Sequence, residues 1–428
     1  MRRDNDPLYV PREIRADGLV LARQAPPDSA ASVSATYLAP AGFAFDPGAE
    51  RGLAVLTNQL IGSGAGPRSR VALARELDRL GATLHARCHP ESAEVTIWGP
   101  AAAFGALLGL LADVILRPRF APEDLERVRR QLIERQLREV SQPDSRAERE
   151  LLHAVFPTGH PYRETGTGSR RSIGRIDRNA IVRFHRDHYT SSGGLVVVTA
   201  PRTFSAVRRE INRRLRDFPR ERAPALPRFP STRAVRPAHR EIPMDGRSQV
   251  EILLGGPSIP RSSVEYAGAF LANEVLGARP LLSRLFQRIR EAKGLAYHAS
   301  SELESMRWGG HWAAQAGTGA ERTDRVVPLL TAEVERIRTE RVPADELDEI
   351  RESAIGEIPL SLETTAGAHE LAVETTYFDL APDHLRRWPE QLRALSPEQV
   401  RRSAEVAFDL ASACTVVAGP FPGRKRTR

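Results

Sequence analysis

The chain repeats itself once, and that repeat limits its fold more than any other feature. Residues 56-LTNQLIG-62 and 271-LANEVLG-277 share the pattern Leu-x-Asn-x-apolar-apolar-Gly, with Asn58 matched to Asn273. Each is followed by an arginine-bearing helical run that stops at a glycine, Gly81 or Gly294, ahead of a strand-like segment. Further on, 176-IDRNAIVRFHRDHY-189 corresponds to 395-LSPEQVRRSAEVAF-408, and the apolar runs 195-LVVVTAP-201 and 414-CTVVAGP-420 close the two copies. The offset stays near about 215 residues throughout, as a duplicated domain requires.

The boundary between the copies is also legible. Residues 219–243 are rich in proline and arginine and lack apolar periodicity, which reads as a linker between a first domain, 1–218, and a second, 244–428. Strand-like runs at 19–24, 32–39, 83–88, 93–99 and 194–200 alternate with helical runs, including one over 122–140 with Pro122 in its first turn. Strands before and after runs of helices predict an α+β fold: two homologous domains, each an antiparallel-rich sheet backed by helices.

Composition narrows the function classes. With 41% apolar and 27% charged residues the chain is an ordinary globular protein. Its net charge of +8 comes mainly from arginines interspersed with acids, without aromatic interleaving, so nucleic-acid binding is not expected. The longest apolar run, 101–116, is too short for a bilayer and contains Asp113. No secretory signal is seen at the N-terminus, and Cys88 and Cys414 form no motif, so a soluble, cytoplasmic chain is expected.

Four segments carry a family resemblance: 283-SRLFQRIREAKGLAYHASS-301, 354-AIGEIPLSLET-364, 185-HRDHY-189 and 155-VFPTGHPY-162. Occurring along the chain in the family's order, and with the duplication, they make the chain resemble the insulinase/pitrilysin zinc peptidases over nearly its whole length. Active members carry H-x-x-E-H on a first-domain helix: two histidines that face one metal and a glutamate that serves as general base. The corresponding segment here is 52-GLAVLTNQLIG-62, and Val55, Asn58 and Gln59 stand at the His, Glu and His positions. At the third ligand position, in 132-LIERQ-136, stands Arg135, with Glu134 beside it. Valine has no donor for zinc, asparagine cannot act as a carboxylate base, and arginine repels a cation. The family's arginine and tyrosine, seven residues apart, hold substrate backbone beside the zinc from the opposite half of a closed chamber. Their counterparts, Arg290 and Tyr297, are intact.

The resemblance therefore implies a non-catalytic, substrate-binding subunit of a heteromeric zinc peptidase. It would hold no cofactor itself, pair with a zinc-bearing homologous subunit and accept peptides or unfolded protein segments. The alternatives are a non-enzymatic scaffold or assembly protein that keeps the fold, and a hydrolase with a rebuilt metal site. For the last, His85, Cys88 and His89 are candidates, but Cys88 points away from the two histidines on a strand. His185 and His188 belong to a structural segment of the family, and 62-GSGAG-66 reads as a turn rather than a phosphate loop. An Arg290-bearing helix is expected over 281–293, ended by Gly294, with Tyr297 opening the next strand.

Overall fold

The structure, a computed structural model, describes residues 6–26, 31–220, 225, 229–230 and 237–421. It divides into two compact units. One gathers the residues up to Gln136, Thr165–Arg228 and Glu357–Trp388; the other gathers Leu137–Glu164, Phe229–Gly356 and Pro389 onward.

The first unit is built on a six-stranded sheet. Its strands are β1 (Arg12–Ile14), β2 (Val20–Gln24), β3 (Ser32–Ala39), β6 (Thr83–Cys88), β7 (Ala93–Pro100) and β8 (Leu195–Thr199), in the order β1-β2-β8-β3-β7-β6. Between β3 and β6 the 62–66 glycines lie in a small hairpin, β4 (Gly64–Ala65) with β5 (Arg68–Ser69). The second unit has five strands: β9 (Ala238–Pro243), β10 (Val250–Ser258), β11 (Ala296–Met306), β12 (Gly309–Thr318) and β13 (Cys414–Gly419), in the order β11-β12-β10-β13-β9. Read from β2, the first sheet has the same topology as the second read from β9. In both, one pair is parallel, β2 with β8 and β9 with β13, and the other pairings are antiparallel. The mixture of helices and two equivalent, mostly antiparallel sheets is the α+β duplication that the repeat predicts. Even the helix stops agree: Gly81 and Gly294 both take φ near +60°, the left-handed conformation that glycine adopts at least cost.

The alternation of β3 explains the layers. Val33, Ala35, Tyr37 and Ala39 point into a core closed by the helices Leu53–Ile61, Phe104–Leu116 and Arg178–His188. Leu38, with Ala22 and Val197, points the other way, against Ala372 of the helix Thr365–Tyr377. That helix belongs to the second copy in sequence. The reciprocal holds in the second unit, where Leu151, Leu152 and Val155 of the helix Pro143–Val155, a first-copy segment, pack on Leu253, Val416 and Ala418. The compact units thus differ from the sequence halves 1–218 and 244–428 by an exchanged pair of helices. Residues 221–224, 226–228 and 231–236 of the 219–243 segment lie outside the described residues. The end of that segment is strand β9 rather than bare linker, held by parallel pairing to β13.

Polar groups anchor the exchanged helix in the first unit. His369 is buried, and its Nε2 and Nδ1 lie 2.7 and 2.9 Å from the hydroxyls of Thr36 and Thr199. Ser32 donates to Thr365 at 2.7 Å. Burial pushes the His369 pKa down to about 4, which keeps the ring neutral and able to serve both hydroxyls.

Candidate functional site

Two places matter: the first-unit helix on which a zinc centre would be built, and the second-unit segment that carries Arg290 and Tyr297.

The helix Leu53–Ile61 begins at Gly52, whose φ of +98° turns the chain sharply. The Asp46 carboxylate accepts from the backbone nitrogens of Gly52 and Ala54 at 2.6 and 2.8 Å and so caps the helix. Burial nonetheless pushes the Asp46 pKa up to about 7, against those two bonds. Along the helix Val55 is buried among apolar residues and Gln59 is half-buried. Asn58 is fully buried; its amide donates to the Glu94 carbonyl at 3.2 Å and to the Tyr189 hydroxyl at 3.3 Å. The matched residue of the second copy, Asn273, accepts from the Ser301 hydroxyl at 2.7 Å. Both asparagines therefore tie a helix to its facing hairpin, and position 58 serves that structural task. Arg135 lies exposed on the helix Pro122–Ser141, as does Glu134.

This set does not fit zinc, which takes sulfur, imidazole or carboxylate donors. Val55 has no donor, the Asn58 amide nitrogen is turned to Glu94 and Tyr189, and Arg135 brings positive charge. Among the described residues no three His, Cys, Asp or Glu side chains converge closely enough to hold a metal ion. The nearby histidines are otherwise engaged: His89 sits 3.5 Å from the Glu94 carboxylate, and His185 and His188 reach the carbonyls of Ile115 and Pro40 at 2.9 and 3.0 Å.

The Arg290 segment is unusual in its backbone. Glu274–Ala278 and Phe286–Glu291 are both π-helical, a winding that is rare and collects at functional sites. Between them Leu281, exposed, takes φ of +67°, a strained value for a branched residue. The expected helix over 281–293 is thus shortened and widened. One reason is a close approach: a Cβ at Gly277 would collide with the backbone nitrogen of Ser301, so the first π-turn lies directly on β11. The second is fixed by ion pairs. Arg284, almost fully buried, makes a bidentate pair with Glu346 at 2.7 and 2.8 Å, and Arg288 pairs with Glu333 at 2.8 Å. Arg290 leaves the other side of the turn, exposed, with its guanidinium 5.0 Å from the Phe286 ring centroid.

Tyr297 lies in the opening turn of β11. The register with β12 steps from Ala296–Thr318 to His298–Gly317, so Tyr297 is the extra residue of a β-bulge. Bulges re-aim a side chain next to functional sites, and Tyr297 is 58% exposed although Leu295 and Ala299, two residues to either side, are buried. His298, next along the strand, donates from Nε2 to the Glu251 carboxylate at 3.0 Å. That bond raises the His298 pKa, while Arg290 acts to lower it, which puts Arg290 within electrostatic reach of the start of β11. The π-turns and the bulge carry no local sequence signal.

Two family models match successive parts of the chain. Residues 19–166 match the model of the insulinase (peptidase M16) family, and residues 175–354 match that of the peptidase M16 inactive domain. An uncharacterised zinc protease of Mycobacterium tuberculosis is 26% identical over 320 residues, 74% of this chain and 72% of the relative. One of Bacillus subtilis is 23% identical over 264 residues, 60% of this chain and 61% of the relative. The crystal structure of a peptidase M16 inactive domain from Pseudomonas fluorescens superposes with a TM-score of 0.88 at 22% identity, over 97% of this chain and all (100%) of that one. A protease from Helicobacter pylori has a TM-score of 0.85 at 17% identity, over 96% of this chain and 99% of that one. The chain belongs to the insulinase (M16) family of peptidases, and is a non-catalytic member of it. No described helix is long and apolar enough to cross a membrane.

Proposed function

We propose that this chain is the substrate-binding subunit of a heteromeric zinc peptidase, pairing with a zinc-bearing homologue and lending Arg290 and Tyr297 to its active site. One contrast carries the reading. Positions 55, 58, 59 and 135 have lost every group that metal hydrolysis needs, whereas Arg290 and Tyr297 are kept, exposed and mounted on a π-turn and a bulge. A strained backbone that only presented surface residues would be costly to maintain. Zinc, its ligands and the general base would belong to the partner, and the occupant would be a peptide or unfolded segment.

The test is co-expression with a homologue from the same genome that has an intact H-x-x-E-H, followed by peptidase assay of each chain alone and of the purified pair. The expected result is a stable heteromer that cleaves an unfolded peptide much faster than either chain alone. A stable pair no faster than the zinc-bearing chain by itself would favour a scaffold role.

A further inference from the structure

The exchanged helix Thr365–Tyr377 is held to the first sheet by more than apolar contact. His369 stands in a chain of hydrogen bonds that crosses three strands. Its Nδ1 meets the Thr199 hydroxyl of β8, and its Nε2 meets the Thr36 hydroxyl of β3. Thr36 lies 2.6 Å from the hydroxyl of Thr96, its register partner on β7, and Thr96 donates to the Glu94 carboxylate at 2.7 Å. Each threonine hydroxyl has one proton, and an ionised carboxylate only accepts. The Thr96 proton goes to Glu94, so Thr36 donates to Thr96. Thr36 then has only lone pairs for Nε2, which carries the ring proton, and the bare Nδ1 accepts from Thr199. The chain runs one way, from Thr199 through His369, Thr36 and Thr96 to Glu94, and it fixes a neutral ring in one tautomer. The packed faces around it are otherwise apolar, with Ala22 of β2, Leu38, Val197 and Ala372. Glu94 is the charge that acts on the ring, with His89 3.5 Å beyond it. The helix ends are tied separately, Thr365 to Ser32 and the Tyr377 hydroxyl to the Glu91 carboxylate at 2.7 Å.

We propose that His369 makes this helix an acid-sensitive lock: on acidification the ring takes up a second proton, the one-way chain fails, and Thr365–Tyr377 comes away from the first sheet. The second proton belongs on Nδ1, the atom that accepts from Thr199. The closed form would have to turn that hydroxyl and carry a positive charge among apolar side chains. Burial accordingly holds the ring pKa at about 4, although the Glu94 charge acts to raise it. Glu94 does not titrate in step. Burial works against its charge, but the bonds from His89 and Thr96 outweigh it and keep its pKa below the ordinary carboxylate value. Once the helix leaves the sheet, water reaches the ring and its pKa returns to about 6.5. Between that value and the folded value of about 4, the open form holds one proton more than the closed form. Opening therefore becomes about ten-fold easier per pH unit as the pH falls through the window, and is independent of this ring above it. What opening bares is the apolar sheet face of Ala22, Leu38 and Val197. Neither Arg290 nor Tyr297 takes part, so the lock stands apart from the peptidase reading.

Hydrogen exchange of the full chain tests this, read by mass spectrometry between about pH 7 and pH 5 and corrected for the pH dependence of exchange in unfolded peptides. Protection of Thr365–Tyr377 should fall at least about ten-fold over that range. Protection of the helix Pro397–Ala407 in the second unit, which contains no histidine, should not follow it. In His369→Gln, whose amide keeps a donor and an acceptor but does not titrate, the fall should vanish. A fall of the same size in that variant, a helix whose protection ignores pH, or loss of protection in both helices together overturns the lock. Nitrogen-15 NMR of the histidine-labelled full chain reads the ring with no substitution at it. His369 should be the Nε2–H tautomer at about pH 7 and stay neutral in the closed form at about pH 5. Thr96→Val, which cuts the chain before Glu94, should let the Nδ1–H tautomer appear. An Nδ1–H or charged ring in the unsubstituted chain at about pH 7, or an unchanged tautomer in Thr96→Val, contradicts the one-way chain on which the lock depends.

Discussion

Changing Arg290 to Ala or Tyr297 to Phe in the assembled pair is expected to lower peptide turnover by about 10²–10³-fold while leaving the complex intact. As water adds to a peptide carbonyl, negative charge develops on the oxygen. A donor already fixed at that place stabilises the transition state more than the substrate. The tyrosine hydroxyl donates one such bond, and the guanidinium offers a charged planar fork. Tyr297→Phe removes only the hydroxyl and leaves the bulge and its packing, so a loss of turnover would report chemistry rather than folding. Arg288→Ala is the internal control. Its guanidinium is bound to Glu333 on the far side of the turn, so its removal should weaken the mount and reduce turnover far less. Full turnover in the double variant Arg290→Ala, Tyr297→Phe would refute the clamp and favour a scaffold.

The second large effect concerns the exchanged helices. Residues 1–218 expressed alone should not fold to a stable monomer, and neither should 219–428, which keeps strand β9. Mixing the two should restore a cooperative fold. Without Thr365–Tyr377 the first sheet loses its cover over Leu38, Ala22 and Val197, and Thr36 and Thr199 lose His369. The second sheet loses Leu151, Leu152 and Val155 from Leu253 and Val416. Each large apolar side chain left in water forgoes about 1.5–3 kcal/mol. A few such losses match the whole stability of a typical domain, about 5–15 kcal/mol. Thermal unfolding followed by circular dichroism would check this. Sharp monomeric transitions from both separate fragments, as high as that of the full chain, would count against the exchange.

The same exchange shows where sequence reasoning stops. Apolar periodicity tells which side of a helix is buried, but not which sheet covers it. The Pro143–Val155 and Thr365–Tyr377 helices therefore gave no hint of crossing between copies. Strand β9 was hidden for a related reason: its alternation is weak, and its stability comes from β13 near the other end of the chain. By contrast, 32–39 and 83–88 are strands in full, because their residue types and turn signals are local. At the candidate site, it was the family resemblance that pointed to positions 55, 58, 59, 135, 290 and 297; their residue types alone would have read as ordinary surface and core positions. The π-winding and the bulge were not legible. They arise from tertiary contacts, the Gly277 approach to β11 and the Arg284 and Arg288 ion pairs, that no short window contains.

The central claim is that this chain has no zinc centre of its own, and metal content measures it most directly. Purified full-length chain, incubated with excess zinc and dialysed, should retain far less than one zinc per chain by mass spectrometry of the metal, and should not cleave an unfolded peptide. One tightly retained zinc per chain, accompanied by peptide cleavage, would contradict the account and restore the rebuilt-metal-site reading.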